Sequence, residues 1–242
     1  MSKTILNTRP ILQAKQTAEI FRKHGFHVLD FPCIEIVSID DPINIGTKLA
    51  LIDNNKVIVF TSQNSVEFAF KIKPEWTLPK SATVISVGIK TAKALEKHRF
   101  FDSMVPKQQS SQGVIDLLKQ IKKPYAIILI SANNGRNEIQ NYAKSNKIDC
   151  EQINVYKRQI PIVNNNTLNL IKNSKDLIVL ATSVTTLVNL KKLLNHNLWQ
   201  KILTCKLACA SERIQQFAIR LEFKDTVNID SANSDIMAEK LL

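Results

Sequence analysis

Two stretches of this chain resemble each other at a separation of half its length. Residues 57–62 have the sequence VIVFTS, and residues 178–183, which lie 121 positions later, have the sequence IVLATS. SVG at 86–88 matches ACA at 208–210 at nearly the same separation. In a chain of 242 residues, a period this long predicts a duplicated structural unit rather than a solenoid, whose repeats are much shorter.

Short β-branched runs alternate with helical patterns along the whole chain. Runs such as VIVF at 57–60 and AIILI at 126–130 are almost continuously apolar, which is typical of parallel strands covered by helices on both faces. The alternation predicts an α/β protein. Strands are expected near residues 3–7, 26–31, 57–61, 83–87, 101–105, 125–131, 150–156, 177–182, 206–210 and 226–229.

These strands divide into two sheets of five, and the chain offers two ways to do so. A cut near the middle gives two consecutive domains of ordinary size. Residues 31–42 and 155–163, however, are extended, contain proline and have no counterpart in the repeat, which is typical of strands that cross between lobes. The second partition places residues 1–34 and 160–242 in one lobe, residues 38–155 in the other, and residues 35–37 and 156–159 in linker strands.

The chain is strongly basic, since 33 Lys and Arg against 21 Asp and Glu give a formal charge of +12. Such an excess is common in nucleic-acid-binding proteins. The lysines are nevertheless spread along the chain, without a dense run, an Arg-rich arm or an aromatic RNA-binding motif, so we expect no nucleic-acid partner. A positive field that attracts a polyanionic small molecule fits this distribution better.

The cellular compartment follows from what the sequence lacks. There is no apolar run long enough to span a bilayer and no signal-peptide core, so we expect a cytoplasmic protein without a membrane partner. Cys33, Cys150, Cys205 and Cys209 have no paired short spacing and are expected to stay reduced and inert. The histidines have no ligand spacing either, so we expect no metal site.

Several catalytic and cofactor motifs are missing as well. There is no G-x-G-x-x-G or Walker A loop, and the chain has five glycines, which argues against dinucleotide and nucleoside triphosphate binding. The nucleophile elbow of serine hydrolases is missing, and so is the acidic cluster of Mg²⁺-dependent receiver domains. We expect no cofactor, so catalysis would rest on positioning and electrostatic stabilisation.

Residues that follow the predicted strands are the candidates for ligand binding, because open parallel sheets bind ligands at the carboxyl ends of their strands. Hydroxyl and amide side chains there cap the next helix, whose free N–H groups and positive dipole end attract carboxylate or phosphate. Helix caps are a general structural need too, so each position alone is a weak indication. The candidates are Thr8 to Pro10, Thr61 to Asn64, Gly88 to Thr91, Ser131 to Arg136, Thr182 to Ser183, and Ser211 to Arg213.

Motifs in a matching order and spacing resemble the uroporphyrinogen-III synthase family over essentially the whole chain. Each motif is short, and their order and spacing carry the resemblance. They are NTRP (7–10), FPCIEI (31–36), VFTSQNSV (59–66), SVGIKTAKAL (86–95), NNGR (133–136), VYKR (155–158), ATS (181–183) and ASERI (210–214).

The resemblance implies two flavodoxin-like parallel-sheet lobes joined by a pair of extended linker strands, with the active site in the cleft between the lobes. It implies a monomeric, cofactor-free lyase of heme biosynthesis. This lyase cyclises hydroxymethylbilane, a linear tetrapyrrole with eight carboxylates, to uroporphyrinogen III, with inversion of the terminal pyrrole ring and loss of water. Tyr156 matches the tyrosine placed near the leaving hydroxyl, to which a phenol would donate a proton or a hydrogen bond. Substrate binding falls to Arg9, Thr61, Ser62, Gly88, Lys90, Thr91, Arg136, Thr182, Ser183, Ser211 and Arg213.

Two loops depart from the family pattern. Residues 131–134 replace an arginine and glycines that relatives commonly carry, which leaves open whether this loop contacts substrate. ASERI replaces a glycine-rich turn, so Arg213 has the alternative of pairing with Glu212 or solvent, and Tyr156 has the alternative of simple packing. Two other functions stay open: a non-catalytic two-lobed binder of an anionic small molecule, and a basic nucleic-acid-associated protein.

Overall fold

The structure is a computed structural model, and it describes residues 3–54, 56–122, 125–133 and 137–242. The strands in this part of the chain are β1 (Thr4–Asn7), β2 (His27–Asp30), β3 (Glu35–Ser38), β4 (Lys56–Phe60), β5 (Thr83–Ser86), β6 (Ala126–Ala132), β7 (Cys150–Gln159), β8 (Leu177–Ala181), β9 (Lys206–Cys209) and β10 (Asp225–Asn228). The helices are α1 (Ile11–Lys23), α2 (Pro42–Ala50), α3 (Gln63–Ile72), α4 (Ile89–Lys97), α5 (Ser111–Leu118), α6 (Glu138–Ser145), α7 (Asn165–Asn173), α8 (Val184–Leu193), α9 (His196–Leu203), α10 (Glu212–Arg220) and α11 (Ser234–Glu239). No helix among the described residues has the length and apolar character that crossing a membrane requires.

The chain divides into two compact units. The first unit comprises Met1–Ile36 with Gln159–Leu242, and the second unit comprises Val37–Arg158. One five-stranded sheet has the order β10-β9-β8-β1-β2, and the other has the order β3-β7-β6-β4-β5. Strand pairs such as β1–β8 and β4–β6 are parallel, which confirms the predicted α/β class. Residues 35–37 and 156–159 belong to β3 and β7, and their role as linkers stays a prediction.

Both sheets have a flavodoxin-like arrangement. Numbered along the chain, the strands of the first sheet have the order 2-1-3-4-5. The second sheet has a permuted version, in which β6 and β7 take the places of β1 and β2, and β4 and β5 take those of β8 and β9. The switch point of such a sheet, where ligands bind, lies between its first and third strands. It therefore lies between β1 and β8 in the first sheet and between β6 and β4 in the second.

The repeat is visible element by element. β8 follows β4 by 121 positions, α8 follows α3 by the same distance, and α7 follows α2 by 123 positions. Trp76 and Trp199, also 123 positions apart, are both buried. Trp199 lies in α9, a helix that the residue pattern did not predict, whereas the segment around Trp76 is not helical. A helix equivalent to α9 would span residues 73–80 and would contain Pro79 beyond its first turn, where proline removes a backbone donor and clashes with the preceding helical turn.

One predicted strand, residues 101–105, was wrong. This segment forms an isolated bridge between Met104 and Ile85, with two backbone hydrogen bonds of 2.8 and 2.9 Å. Pro106 follows at once and has no N–H to extend the pairing. The fifth strand of the second sheet is instead β3 (Glu35–Ser38), an extended segment that lies at the edge of the sheet beside β7. The unpaired backbone groups of an edge strand are a template for such an addition.

Helices cover the first sheet on both faces, as the alternation along β8 demonstrates. Leu177, Val179 and Ala181 belong to one hydrophobic cluster, whereas Ile178 and Leu180 belong to another. Every residue of β8 is buried. Apolar burial stabilises a fold by roughly 25 cal/mol per Å². The buried side chains of this central strand therefore help to stabilise the packing of the sheet against its helices. This packing fixes the positions of the carboxyl ends of the strands.

Candidate functional site

A cavity of about 300 Å³ opens at the carboxyl ends of β4 and β6, at the switch point of the second sheet. Buried Leu129 and Ile139 contribute its apolar part. Arg158 is the one charged side chain among the described residues that line it. The polar lining residues are Thr61, Gln109, Ser110, Ser111, Ser131, Gln140, Gln152, Tyr156 and Arg158.

Tyr156 reaches this cavity because β7 is irregular at its end. β7 pairs with β6 in parallel register as far as Ser131, which lies opposite Asn154, and a bulge then places Ala132 opposite Tyr156. Bulges bend a strand and redirect its side chains. The Tyr156 side chain is 1% exposed, and its ring packs against Phe68 with 5.5 Å between the centroids. The packing holds the ring, so the position of the hydroxyl is fixed.

The Tyr156 hydroxyl has two polar neighbours. Its oxygen lies 3.1 Å from Ser62 Oγ, and either atom can be the donor. Arg158 Nη2 lies 3.3 Å away and donates, because a guanidinium has no acceptor. The Arg158 Cζ also lies 5.9 Å from the centroid of the Tyr156 ring, within the range of a cation–π interaction. The cavity thus contains a phenol that is held between a hydroxyl and a permanent cation.

The turn after β4 positions Ser62. The Thr61 N–H and hydroxyl both donate to the Ile130 carbonyl of β6, at 3.1 and 3.2 Å. Ser62 is the N-cap of α3: its Oγ accepts the Ser65 N–H, and Ser65 Oγ accepts the Ser62 N–H, both at 3.1 Å. This capping box satisfies the first turn of the helix and fixes the side chain that meets Tyr156.

The N-terminus of α4 is capped by a residue distant in sequence. Gly88 is the N-cap and has no side chain to offer, and the Ile89 N–H donates instead to Gln109 Oε1 at 3.0 Å. The Gln109 side chain lies so close that a Cβ on Gly88 would be 2.6 Å from its oxygen. Lys90 is exposed and Thr91 is buried, and neither lines the cavity. The predicted residues at this turn therefore meet the cavity only indirectly, since Gly88 and Ile89 contact Gln109, which lines it.

Amide side chains form the wall of the cavity nearest to β7. Gln152 Nε2 donates to the Ala132 carbonyl at 3.1 Å and to Asn154 Oδ1 at 2.6 Å, and the Gln140 amide donates to Gln152 Oε1. Gln140 Oε1 is buried and has no hydrogen-bond partner among the described residues. A buried acceptor without a donor is costly for the folded state.

The predicted residues of the first unit are engaged mainly in capping. Ser183 Oγ accepts the Thr186 N–H at 3.1 Å at the start of α8 and lies 2.8 Å from the Thr186 hydroxyl. Thr182, just before it, is partly buried. Ser211 is the N-cap of α10 without a side-chain hydrogen bond, and Arg213 is exposed. Their contacts with substrate stay predictions.

The Arg9 guanidinium makes its contacts with other residues of the first unit. Its Nη2 donates to the Ala232 carbonyl and lies 3.8 Å from Met237 Sδ. Nε is buried without a partner among the described residues, and burial lowers the pKa of the guanidinium from its ordinary value. Arg136, predicted as a substrate-binding residue, lies outside the described residues.

The cysteines are free thiols in apolar surroundings. Burial raises the pKa of Cys209 to about 12, and burial raises the pKa of Cys33 and Cys150 as well. A thiol that stays protonated is a poor nucleophile. Within the part of the chain that the structure describes, no group of three or more His, Cys, Asp or Glu is placed to hold a metal ion.

Sequence reasoning missed six of the polar residues that line the cavity. Arg158 had a usable signal, because strand alternation places it on the same side of β7 as Tyr156. Gln109, Ser110 and Ser111 come from the loop and first turn at the start of α5, where no predicted strand ends. Gln140 and Gln152 meet through packing between α6 and β7, which leaves no local pattern in the sequence.

Comparisons with known proteins agree over most of the chain. Residues 15–238 match the family model described as uroporphyrinogen-III synthase HemD. The uroporphyrinogen-III synthase of Salmonella typhimurium is 24% identical over 254 aligned positions, which cover 98% of this chain and 99% of that protein.

Solved structures of uroporphyrinogen III synthases share the fold. One from Thermus thermophilus has a TM-score of 0.66 at 13% identity and covers 99% of this chain and 97% of its own. One from Helicobacter pylori has a TM-score of 0.63, also at 13% identity, with 100% and 98% covered.

Proposed function

This chain belongs to the uroporphyrinogen-III synthase family, and we propose that it cyclises hydroxymethylbilane to uroporphyrinogen III. The reaction closes a linear tetrapyrrole into a macrocycle, inverts the terminal pyrrole ring and releases water. It needs a group that helps the terminal hydroxyl to leave, and surroundings that keep water from the cation left behind. The protein acts as a cyclising lyase on a small tetrapyrrole.

The observation that carries the assignment of the site is the position of the Tyr156 hydroxyl. It lies in the cavity of the second unit, within hydrogen-bonding distance of Ser62 Oγ and Arg158 Nη2. A positioned phenol can donate a proton or a hydrogen bond to a departing hydroxyl, and such general acid catalysis is worth about 10²- to 10⁴-fold in rate. Tyr156 is therefore our candidate for the group that meets the leaving hydroxyl.

The character of the cavity supports a polyanionic, N–H-bearing substrate. The described lining includes no carboxylate to repel the substrate's acidic arms, and Arg158 adds a positive charge. Amide and hydroxyl side chains of the lining, among them Gln109 and Ser110, carry oxygens that can accept from a pyrrole N–H. The volume of about 300 Å³ lies at the lower end of the range for ligand pockets, roughly 300–1,000 Å³. A molecule of four pyrrole rings exceeds it, so we expect the cavity to hold the reacting end.

Carboxylate binding by the remaining predicted residues is part of the proposal. Backbone N–H groups at helix starts and hydroxyl caps are suited to carboxylates. The residues concerned are Thr61, Ser62, Gly88, Thr91, Thr182, Ser183 and Ser211, with Arg9, Lys90, Arg136 and Arg213 as additional charges. Arg9 is the least suited of them, because its guanidinium already donates to Ala232.

Finer features of the proposal concern the form in which the protein works. We expect a monomer without a cofactor, acting in the cytoplasm and without nucleic acid. The four free thiols support a reducing compartment. Residues 35–37 and 156–159 are proposed as the linkers between the two lobes, 1–34 with 160–242 and 38–155.

An isomer-resolved product assay tests the proposed activity. Hydroxymethylbilane is generated enzymatically in the presence of the purified protein, and the products are oxidised and separated by chromatography. We expect the type III isomer to dominate in proportion to the protein added. Formation of the uncatalysed type I isomer alone would refute the activity, and tetrapyrrole binding without turnover would favour a non-catalytic binder of anionic small molecules.

A further inference from the structure

Arg158 is a residue with no assigned role whose guanidinium touches the Tyr156 hydroxyl. Nη2 lies 3.3 Å from the phenol oxygen. The backbone of Arg158 is held as well, because its N–H donates to Asn133 Oδ1 at 3.3 Å, and the Asn133 N–H donates to the Tyr156 carbonyl at the same distance. The ion pairs among the described residues do not include Arg158. Arg158 is an exposed residue, and its guanidinium contacts the phenol oxygen and lines the cavity rather than pairing with a carboxylate.

Counting donors and acceptors restricts what the phenol can do. Because Arg158 can only donate, the Tyr156 oxygen accepts from it. Ser62 Oγ already accepts the Ser65 N–H, but a serine hydroxyl has two lone pairs and one rotatable proton. When Ser62 turns that proton toward Tyr156, the phenol oxygen accepts two hydrogen bonds. The O–H of Tyr156 is then left for a ligand in the cavity, and no heavy atom has moved.

We propose that Arg158 is a positioning residue that acts through Tyr156, which rests on the proposed function. Its guanidinium keeps the phenol oxygen in the role of acceptor, so that the O–H is directed to the hydroxyl of the substrate. As the proton moves to that hydroxyl, Arg158 stabilises the negative charge that develops on the phenol oxygen.

The proton balance of this step is complete. The proton leaves Tyr156 Oη for the hydroxyl oxygen of the substrate, the carbon–oxygen bond breaks with its electron pair on oxygen, and water departs. Closure of the macrocycle onto the last ring later releases one proton, which restores the phenol. No oxidant, reductant or second substrate is required.

A double-mutant cycle tests whether Arg158 acts through Tyr156 or independently of it. The kcat and KM of type III isomer formation are measured for wild type, Arg158→Met, Tyr156→Phe and the double variant. We expect Arg158→Met to lower kcat about tenfold, because a charged hydrogen-bond donor to the phenol is removed, with little change in KM. In the Tyr156→Phe background the same substitution should change kcat less than about twofold, because the phenol it acts on is gone.

Lys157→Met is the matched control, since Lys157 is the neighbouring cation on β7 and pairs with Asp40 at 2.5 Å. It should retain wild-type kcat and KM. Arg158→Lys should restore part of kcat, because an ammonium donates but lacks the planar geometry of the guanidinium. The proposal is overturned if Arg158→Met raises KM with kcat unchanged, which indicates carboxylate binding, or lowers kcat equally in both backgrounds.

A spectroscopic measurement separates this proposal from the activity itself. In protein labelled at the tyrosine ¹³Cζ, the Tyr156 resonance, assigned by its loss in Tyr156→Phe, should shift in Arg158→Met and stay in place in Lys157→Met. An unshifted resonance in Arg158→Met overturns the proposal even in an active enzyme. A shifted resonance in a protein that forms only the type I isomer locates the failure in the proposed function, and the kinetic role of Arg158 falls with it.

Discussion

The two switch points of this molecule lie between equivalent strands and beside equivalent helix caps, but their polar contacts differ. In the first unit, the Thr8 hydroxyl donates from the end of β1 to the Leu180 carbonyl of β8. Asn7, fully buried, donates to the Ala14 carbonyl at 3.0 Å and to Asp30 Oδ1 at 2.7 Å. In the second unit, the cavity opens at the equivalent place, and Gln140 Oε1 has no partner among the described residues.

This difference shows that the duplicated sheets and helix caps are not by themselves enough to form a site. Duplication supplies two parallel sheets, two switch points and two serine caps, Ser62 and Ser183, each of which accepts an N–H three residues later at 3.1 Å. Among the described residues, only Ser62 of this pair contacts a phenol, that of Tyr156. Capacity for chemistry comes from the side chains packed around a frame, not from the frame itself.

Of the substitutions that test the difference between the two switch points, Tyr156→Phe should have the largest effect on kcat. Loss of the hydroxyl removes the proposed proton donor, so kcat for type III isomer formation should fall about 100-fold. The ring and its packing against Phe68 remain, so the free energy of unfolding should change by no more than about 1 kcal/mol. Steady-state kinetics and urea unfolding measure the two effects.

Tyr125→Phe is the control for this substitution, because it removes a hydroxyl that donates to the Leu118 carbonyl at 2.9 Å and does not line the cavity. Its kcat should match wild type. A Tyr156→Phe variant with wild-type turnover would show that the cavity phenol is a packing residue and that the two switch points differ in structure alone.

Ser62→Ala and Ser183→Ala form a matched pair with an intermediate effect. Each removes an N-cap, so each should lower the free energy of unfolding by about 1 kcal/mol. Ser62→Ala also removes a hydrogen bond to the phenol and should lower kcat about fivefold, whereas Ser183→Ala should act on KM alone. Equal losses of kcat in the two variants would contradict the functional difference between the two turns.

The smallest expected effect is on the pH dependence of stability. It arises from the buried thiols at alkaline pH. Burial raises the pKa of Cys209, in the first sheet, from an ordinary 9.0 to about 12. The folded state therefore keeps the thiol neutral where the unfolded chain ionises, and stability present below pH 9 should decline as the pH rises toward 12.

Urea unfolding at pH 8 and pH 10 measures this decline. The decline should be smaller in Cys209→Ala. Cys150→Ala, in the half-buried first position of β7, is the comparison variant from the second sheet. A slope with pH that is the same in Cys209→Ala as in wild type would mean that other groups account for the loss.

Much of the fold was predictable because it depends on local patterns. The apolar runs of β4 and β8, the serine caps after them and the extended segments 31–42 and 155–163 led to an α/β protein with two parallel sheets. Residues 101–105 failed as a strand because Pro106 limits the pairing to one bridge. α9 was not predicted because the apolar residues around Trp199 are identified as one helix face only by their packing into the core.

The sequence by itself determined the repeat, the α/β class and the hydroxyl residues that end the strands, because periodicity and helix capping act between neighbouring residues. Tertiary structure alone decided which of these residues share a cavity. Tyr156 and Ser62 are 94 positions apart and meet at 3.1 Å because a bulge in β7 and a capping box on α3 direct them to one point. Gln109 and Gln140 enter the same cavity from separate loops and helices. Such contacts depend on how remote surfaces pack, and no local pattern of residues encodes them.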